Sequence, residues 1–278
     1  MLSETNVLIF ALLGGIVPAL FWLWFWLRED RLRPEPKGAL LSAFMGGILA
    51  VLLALFIELV IYYLFVNANP YHIKDFPNTL RIILENYANS HDLANAQIQF
   101  WGQFKNFDVK KIFLVVIIAP IVEESLKLLL TYNICLRRKV NDEPIDASIY
   151  MLTAALGFAA VETALILSEP LAKGHLIDTL IAGNLRSIGP MLIHLISSAI
   201  IGLFIGLAFY RSKIMKTFYL VFGFILAVLL HALFNLFTVL NDFTHNISFF
   251  WIACFGTWIL VIILLAFFEK IKKIIRKT

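Results

Sequence analysis

The sequence predicts an all-α protein, a bundle of about seven membrane-spanning helices. Three observations carry that prediction. The 278 residues are 60% hydrophobic and 15% charged, with a mean hydropathy of +0.85, against about 45–50% and about 25% in soluble domains. Such an excess cannot hide in one soluble core, which excludes a cytosolic enzyme, a disulfide scaffold and a disordered chain. Second, seven apolar runs reach the roughly 20 residues that a helix needs to cross the hydrocarbon layer: 6–27, 39–66, 112–136, 147–168, 188–210, 217–240 and 247–268. Third, basic residues alternate from side to side. One set of connections, 28–37, 137–139, 211–216 and 270–277, holds 15 Lys and Arg, whereas the opposite set holds 7 over longer loops. The positive-inside rule then puts the N-terminus outside and the C-terminus in the cytoplasm.

The chain reads as a single integral membrane domain, 1–278. Run 6–27 is too long for a signal core and its leader has no basic residue, so it is expected to remain as a span. The formal net charge of +4 is spread between apolar runs rather than along one polar face, which argues against a nucleic-acid partner. Cys135 and Cys254 form no paired framework. The connection 67–111 is the one long loop, and 79–104 carries enough apolar residues for one or two helices on the outer surface. Gly202 and Gly206 form a small-xxx-small helix-packing site.

Ionisable residues inside the spans are the informative ones, since a central charge costs about 2.5–3.5 kcal/mol on insertion scales. Run 112–136 contains Glu123, Glu124 and Lys127. Run 147–168 contains Phe158 and Glu162, run 188–210 His194, run 217–240 His231 and Asn235, and run 39–66 Glu58. Lys127 stands i,i+3 from Glu124 and i,i+4 from Glu123, so it can neutralise either and reads as a structural partner. Four helices offer carboxylates and imidazoles at similar depth, in the middle and outer half of the membrane, which suits one interior cluster. Glu58 has no evident partner and reads as structural or conformational. A buried carboxylate can take a proton from water, His and Asn can donate to an oxyanion, and Glu123, His194 and His231 could equally ligate Zn²⁺. Hydrolysis is the chemistry such a cluster suits. A proton-coupled transporter is the less favoured alternative, because no broken spans recur in matching positions.

The motif Glu123-Glu124-Ser125-Leu126-Lys127 (EExxK), followed by Phe158 to Glu162 (FxxxE) and histidines in two later spans, resembles the PrsW family of intramembrane proteases. Glu35-Pro36, closing the first loop, resembles that family's sequence after its first span, and the likeness runs from span one through span six. The family is related to the CAAX prenyl endopeptidases and the Aph subunit of γ-secretase. The resemblance implies a helix bundle with an internal polar cavity in a cell membrane. It also implies site-1-type cleavage of a membrane-tethered protein such as an anti-sigma factor. Prenyl endopeptidases carry FxxxH where this chain has Glu162, which speaks against a prenylated substrate. By the same resemblance Glu123 is the water-activating base and Glu124 its support. Glu162 lines the site, His194 and His231 orient water or hold metal, and Asn235 donates to the oxyanion. The two histidines lack the i,i+4 spacing of a zincin helix, so the reading inclines to metal-independent chemistry with zinc as the alternative. A non-catalytic scaffold, as in the γ-secretase subunit, is the rival function.

Overall fold

A computed structural model describes residues 3–30, 33–65 and 109–274. The surface helices expected within 79–104 lie outside the described residues. Ser3 accepts from Asn6 N and starts α1 (Glu4–Leu27). Helix α2 (Lys37–Phe65) follows the irregular stretch Pro34–Pro36. Helix α3 covers Val109–Leu136 in four stretches: an α turn (Val109–Phe113), a π segment (Leu114–Ile118), an α-helix (Ala119–Thr131) and a second π segment (Tyr132–Leu136). Then come α4 (Asp146–Ala172), α5 (Leu176–Ile188), α6 (Pro190–Leu207), α7 (Lys213–Thr244) and α8 (Ser248–Ile271). Among the described residues, six stretches are long and apolar enough to cross a membrane. Those stretches match six of the expected runs, and the described residues contain helices but no strand. The remaining run, 112–136, is helical too, but its Glu123, Glu124 and Lys127 break its apolar character.

The composition of α4 places it at the centre. Its alanines and Gly157 leave room for neighbouring backbones, and α1, α2 and α6 all pack on it. The α2–α4 crossing is reciprocal. A methyl group at Gly47 would lie 1.8 Å from Ala154 O, and one at Gly157 would lie 2.1 Å from Phe44 O. Gly202 and Gly206 do the same against Ala147 O and Pro144 O, which bears out the packing role expected for them. Replacing Gly47 by Ala should therefore push α2 off α4 and cost about 1–3 kcal/mol, the usual scale of overpacking; denaturant titration of the reconstituted protein checks this.

Helix α5 was not anticipated. The expected run 188–210 continues backwards as an amphipathic helix with Leu176, Ile177, Leu180 and Ile181 exposed. Gly189 and Pro190 break the chain between α5 and α6, because Pro190 has no N–H to continue the ladder. Two tryptophans cover the carbonyls this leaves. Trp22 Nε1 donates to Ser187 O (3.0 Å) and Trp258 Nε1 to Ile188 O (3.1 Å), with their rings 5.8 Å apart edge to face. On the first loop, Glu35 is buried and accepts from the Tyr150 hydroxyl of α4.

Candidate active site

The polar residues of α3, α4, α6 and α7 meet. Glu124 is fully buried and saturated with donors. Lys127 Nζ donates to its Oε1 at 2.6 Å, His231 Nδ1 lies 3.0 Å from the same oxygen, Ser197 Oγ 2.9 Å from it, and Ser198 Oγ donates to Oε2 at 2.7 Å. The geometry resolves the choice that helical spacing left open, because Lys127 neutralises Glu124 rather than Glu123. Phe158 flanks the ammonium, with its ring centre 4.6 Å from Nζ, and it packs on His194 at 5.2 Å.

Glu162 forms a second paired carboxylate. Its Oε2 accepts from Arg186 Nη2 at 2.7 Å and lies 2.9 Å from His194 Nε2. Arg186 comes from α5, on a stretch whose charge counts toward the outer loop when only sequence is read. Ser197, Ser198 and Arg186 thus join the cluster without a motif to announce them. For Ser197 and Ser198 the one visible signal is their adjacency in an apolar run.

The two paired carboxylates fix the protons of both imidazoles. A carboxylate only accepts, so His231 presents N–H at Nδ1 to Glu124 and keeps its lone pair at Nε2. His194 presents N–H at Nε2 to Glu162. Its Nδ1 then holds the lone pair, as the ammonium of Lys127 at 3.3 Å also requires, since that group only donates. Both lone-pair nitrogens face Glu123, that of His194 also meeting the Lys127 ammonium. Glu123 Oε2 lies 3.5 Å from His194 Nδ1 and 3.8 Å from His231 Nε2, and the imidazole centroids are 4.7 Å apart.

Glu123 differs from its neighbours in having no cation beside it. Its Oε2 is buried without a hydrogen-bond partner, whereas Lys127 and Arg186 are committed to Glu124 and Glu162. Three acceptor atoms therefore converge, with Lys127 Nζ donating to His194 Nδ1 at their edge, and a proton or a cation between them would relieve the repulsion. Ligand atoms of Glu123, His194 and His231 all lie within 4.8 Å of one another, and Glu124 and Glu162 hold the far nitrogens of the two imidazoles, as carboxylates do behind histidine metal ligands. The donor set suits Zn²⁺.

Asn235, one turn from His231, has its amide engaged elsewhere. Its Nδ2 donates to Val115 O at 3.1 Å. In the first π segment that carbonyl would pair with the N–H five residues on, and residue 120 is proline, which has none.

Fold and side chains together define a polytopic membrane protein with a carboxylate–imidazole centre built into its interior. Comparison with known proteins carries this further. The model of the PrsW family of intramembrane metalloproteases matches residues 35–267, beginning at Glu35 and reaching into α8, so that it leaves out all of span one but goes beyond span six. The protein named Protease PrsW from Geobacillus kaustophilus (strain HTA426) is 25% identical over 222 residues, 80% of this chain and 76% of that protein. No solved structure gives a significant match. The chain belongs to the PrsW family of intramembrane metalloproteases. It is a multi-pass membrane protein and a peptide-bond hydrolase. The family's description as metalloproteases, with a Glu/His/His set able to hold a metal ion, runs against the metal-independent chemistry to which the histidine spacing inclined.

Proposed function

We propose that this protein is an endopeptidase of the cell membrane that cuts a membrane-tethered protein, such as an anti-sigma factor, with water activated at Glu123. The observation that carries the reading is Glu123 Oε2, buried, without a hydrogen-bond partner and facing His194 Nδ1 and His231 Nε2. Glu123 takes the proton of the attacking water as its oxygen closes on the scissile carbonyl, and that proton then passes to the departing amine. Glu124 holds His231 in the tautomer that presents Nε2, and Glu162 does the same for Nδ1 of His194. Lys127 and Arg186 keep those supporting carboxylates charged and in place. Asn235 retains a second amide hydrogen for a developing oxyanion. Glu123, His194 and His231 are the residues that would hold a divalent ion such as Zn²⁺, which would supply Lewis acidity there.

The basic-residue bias supports an outside N-terminus and a cytoplasmic C-terminus, within one membrane domain. The test is a census of new protein termini in membranes of cells making the wild type or Glu123→Ala at matched levels. Termini near the outer end of single-pass spans, present with the wild type alone, are expected. Identical termini in the two membranes would rule out Glu123-dependent cleavage of membrane-tethered proteins. On the metal, His231→Ala should lower the zinc content of the purified protein from about one equivalent towards none, read by elemental analysis; a zinc-free wild type with full activity would return the mechanism to glutamate and histidine alone.

A further inference from the structure

Glu58, structural or conformational by its place in an apolar run, stands at the edge of this centre. The α2 face that carries Ala50, Val51 and Ala54, with Leu55, packs against Val122, Leu126 and Leu130 of α3 and against Phe158 and Val161 of α4. Residues 51, 54, 55 and 58 fall on one stripe of a helix. Glu58 therefore continues that face by one turn, toward the turns in which Glu123 follows Val122 and Glu162 follows Val161. Its carboxylate accordingly lies within the electrostatic reach of Glu162, Glu123 and Lys127. Among the described residues, two buried carboxylate oxygens have no hydrogen-bond partner, Glu123 Oε2 and Glu58 Oε1. Glu58 is not one of the three residues whose ligand atoms converge, so its free oxygen is placed for something other than the ion.

A peptide bond in a membrane segment is protected by its own helix. Cutting it requires a stretch of unwound backbone, whose N–H groups have no water to bind at that depth. A protease working there needs an acceptor that replaces the lost helical carbonyl. We propose that Glu58 is a substrate-contacting residue of this active site, its free oxygen accepting a hydrogen bond from a backbone N–H of the unwound substrate beside the scissile bond. The inference rests on the protease reading above.

The experiment extends the census of termini to Glu58→Gln and Glu58→Leu, beside the wild type and Glu123→Ala. Gln keeps an acceptor oxygen and Leu removes it. Leucine is favourable in an apolar span, so that variant should melt at or above the wild-type temperature, and Glu58→Met gives a second apolar side chain of similar length. The expected result is a loss of about tenfold in every Glu123-dependent terminus with Leu and Met, the scale of one lost hydrogen bond, and near-wild-type levels with Gln. Wild-type levels with Leu and Met would overturn the inference while leaving the protease intact. Gln as inactive as Leu would also overturn it, because a proton rather than an acceptor would then be what Glu58 supplies. If no terminus depends on Glu123, the protease reading falls first and takes this inference with it.

Discussion

Purified Glu123→Gln should fold as well as the wild type and cleave at least about a hundredfold more slowly. Glutamine keeps the size of the side chain and loses its capacity to take a proton, and a positioned general base contributes about 10²–10⁴-fold. The fold should not suffer, because no donor depends on Glu123 Oε2. Removing an unmatched carboxylate from an apolar interior is neutral or favourable. The contrast is with Glu124, whose two oxygens serve Lys127, His231, Ser197 and Ser198. Cleavage of a reconstituted substrate and a thermal melt of the same preparation check both halves. Activity within a few-fold of the wild type would remove Glu123 from the chemistry.

The second large effect is on stability. Lys127→Met leaves Glu124 buried without its cation, and breaking one side of a buried ion pair costs about 3–5 kcal/mol. Lys127 and Glu124 are each wholly shielded, with 0% side-chain exposure on both partners, so solvent cannot screen the loss. The double variant Lys127→Met with Glu124→Gln should regain most of the stability, since it removes both charges together. It should remain poorly active, because His231 then loses the carboxylate that fixes its proton. Denaturant titration in bicelles measures the first expectation and terminus counting the second. A Lys127→Met protein as stable as the wild type would mean that the pair does not hold the bundle together.

Much of this arrangement was legible in the chain because a membrane makes polar residues conspicuous. Glu123, Glu124, Glu162, His194 and His231 stand out from apolar runs, and the structure brings all five together. Periodicity within one helix could not say which carboxylate Lys127 chooses, because both spacings permit contact. Ser197 and Ser198 decide it by supplying donors to Glu124 from another helix. Arg186 was obscured for a similar reason, since it belongs to an amphipathic helix that merges in hydropathy with the span that follows. Glu58 lacked a partner within its own run because the groups around it come from α3 and α4.

The two π segments of α3 have a consequence for inheritance. Each accommodates a residue beyond what an ordinary α turn would hold, and they bracket the stretch Ala119–Thr131 that bears Glu123, Glu124 and Lys127. Successive residues of an α-helix differ by about 100° in azimuth. Loss of one codon within 114–118 would therefore turn Glu123 and Glu124 away from the histidines or force the preceding turns to twist by that angle, with scarcely any change in hydrophobic length. A substitution at the same positions keeps the phase. Lineages of this protein should therefore tolerate changes of residue type in 114–118 far better than changes of residue number, even though a lipid-facing helix end elsewhere in the bundle could gain or lose a residue at little cost.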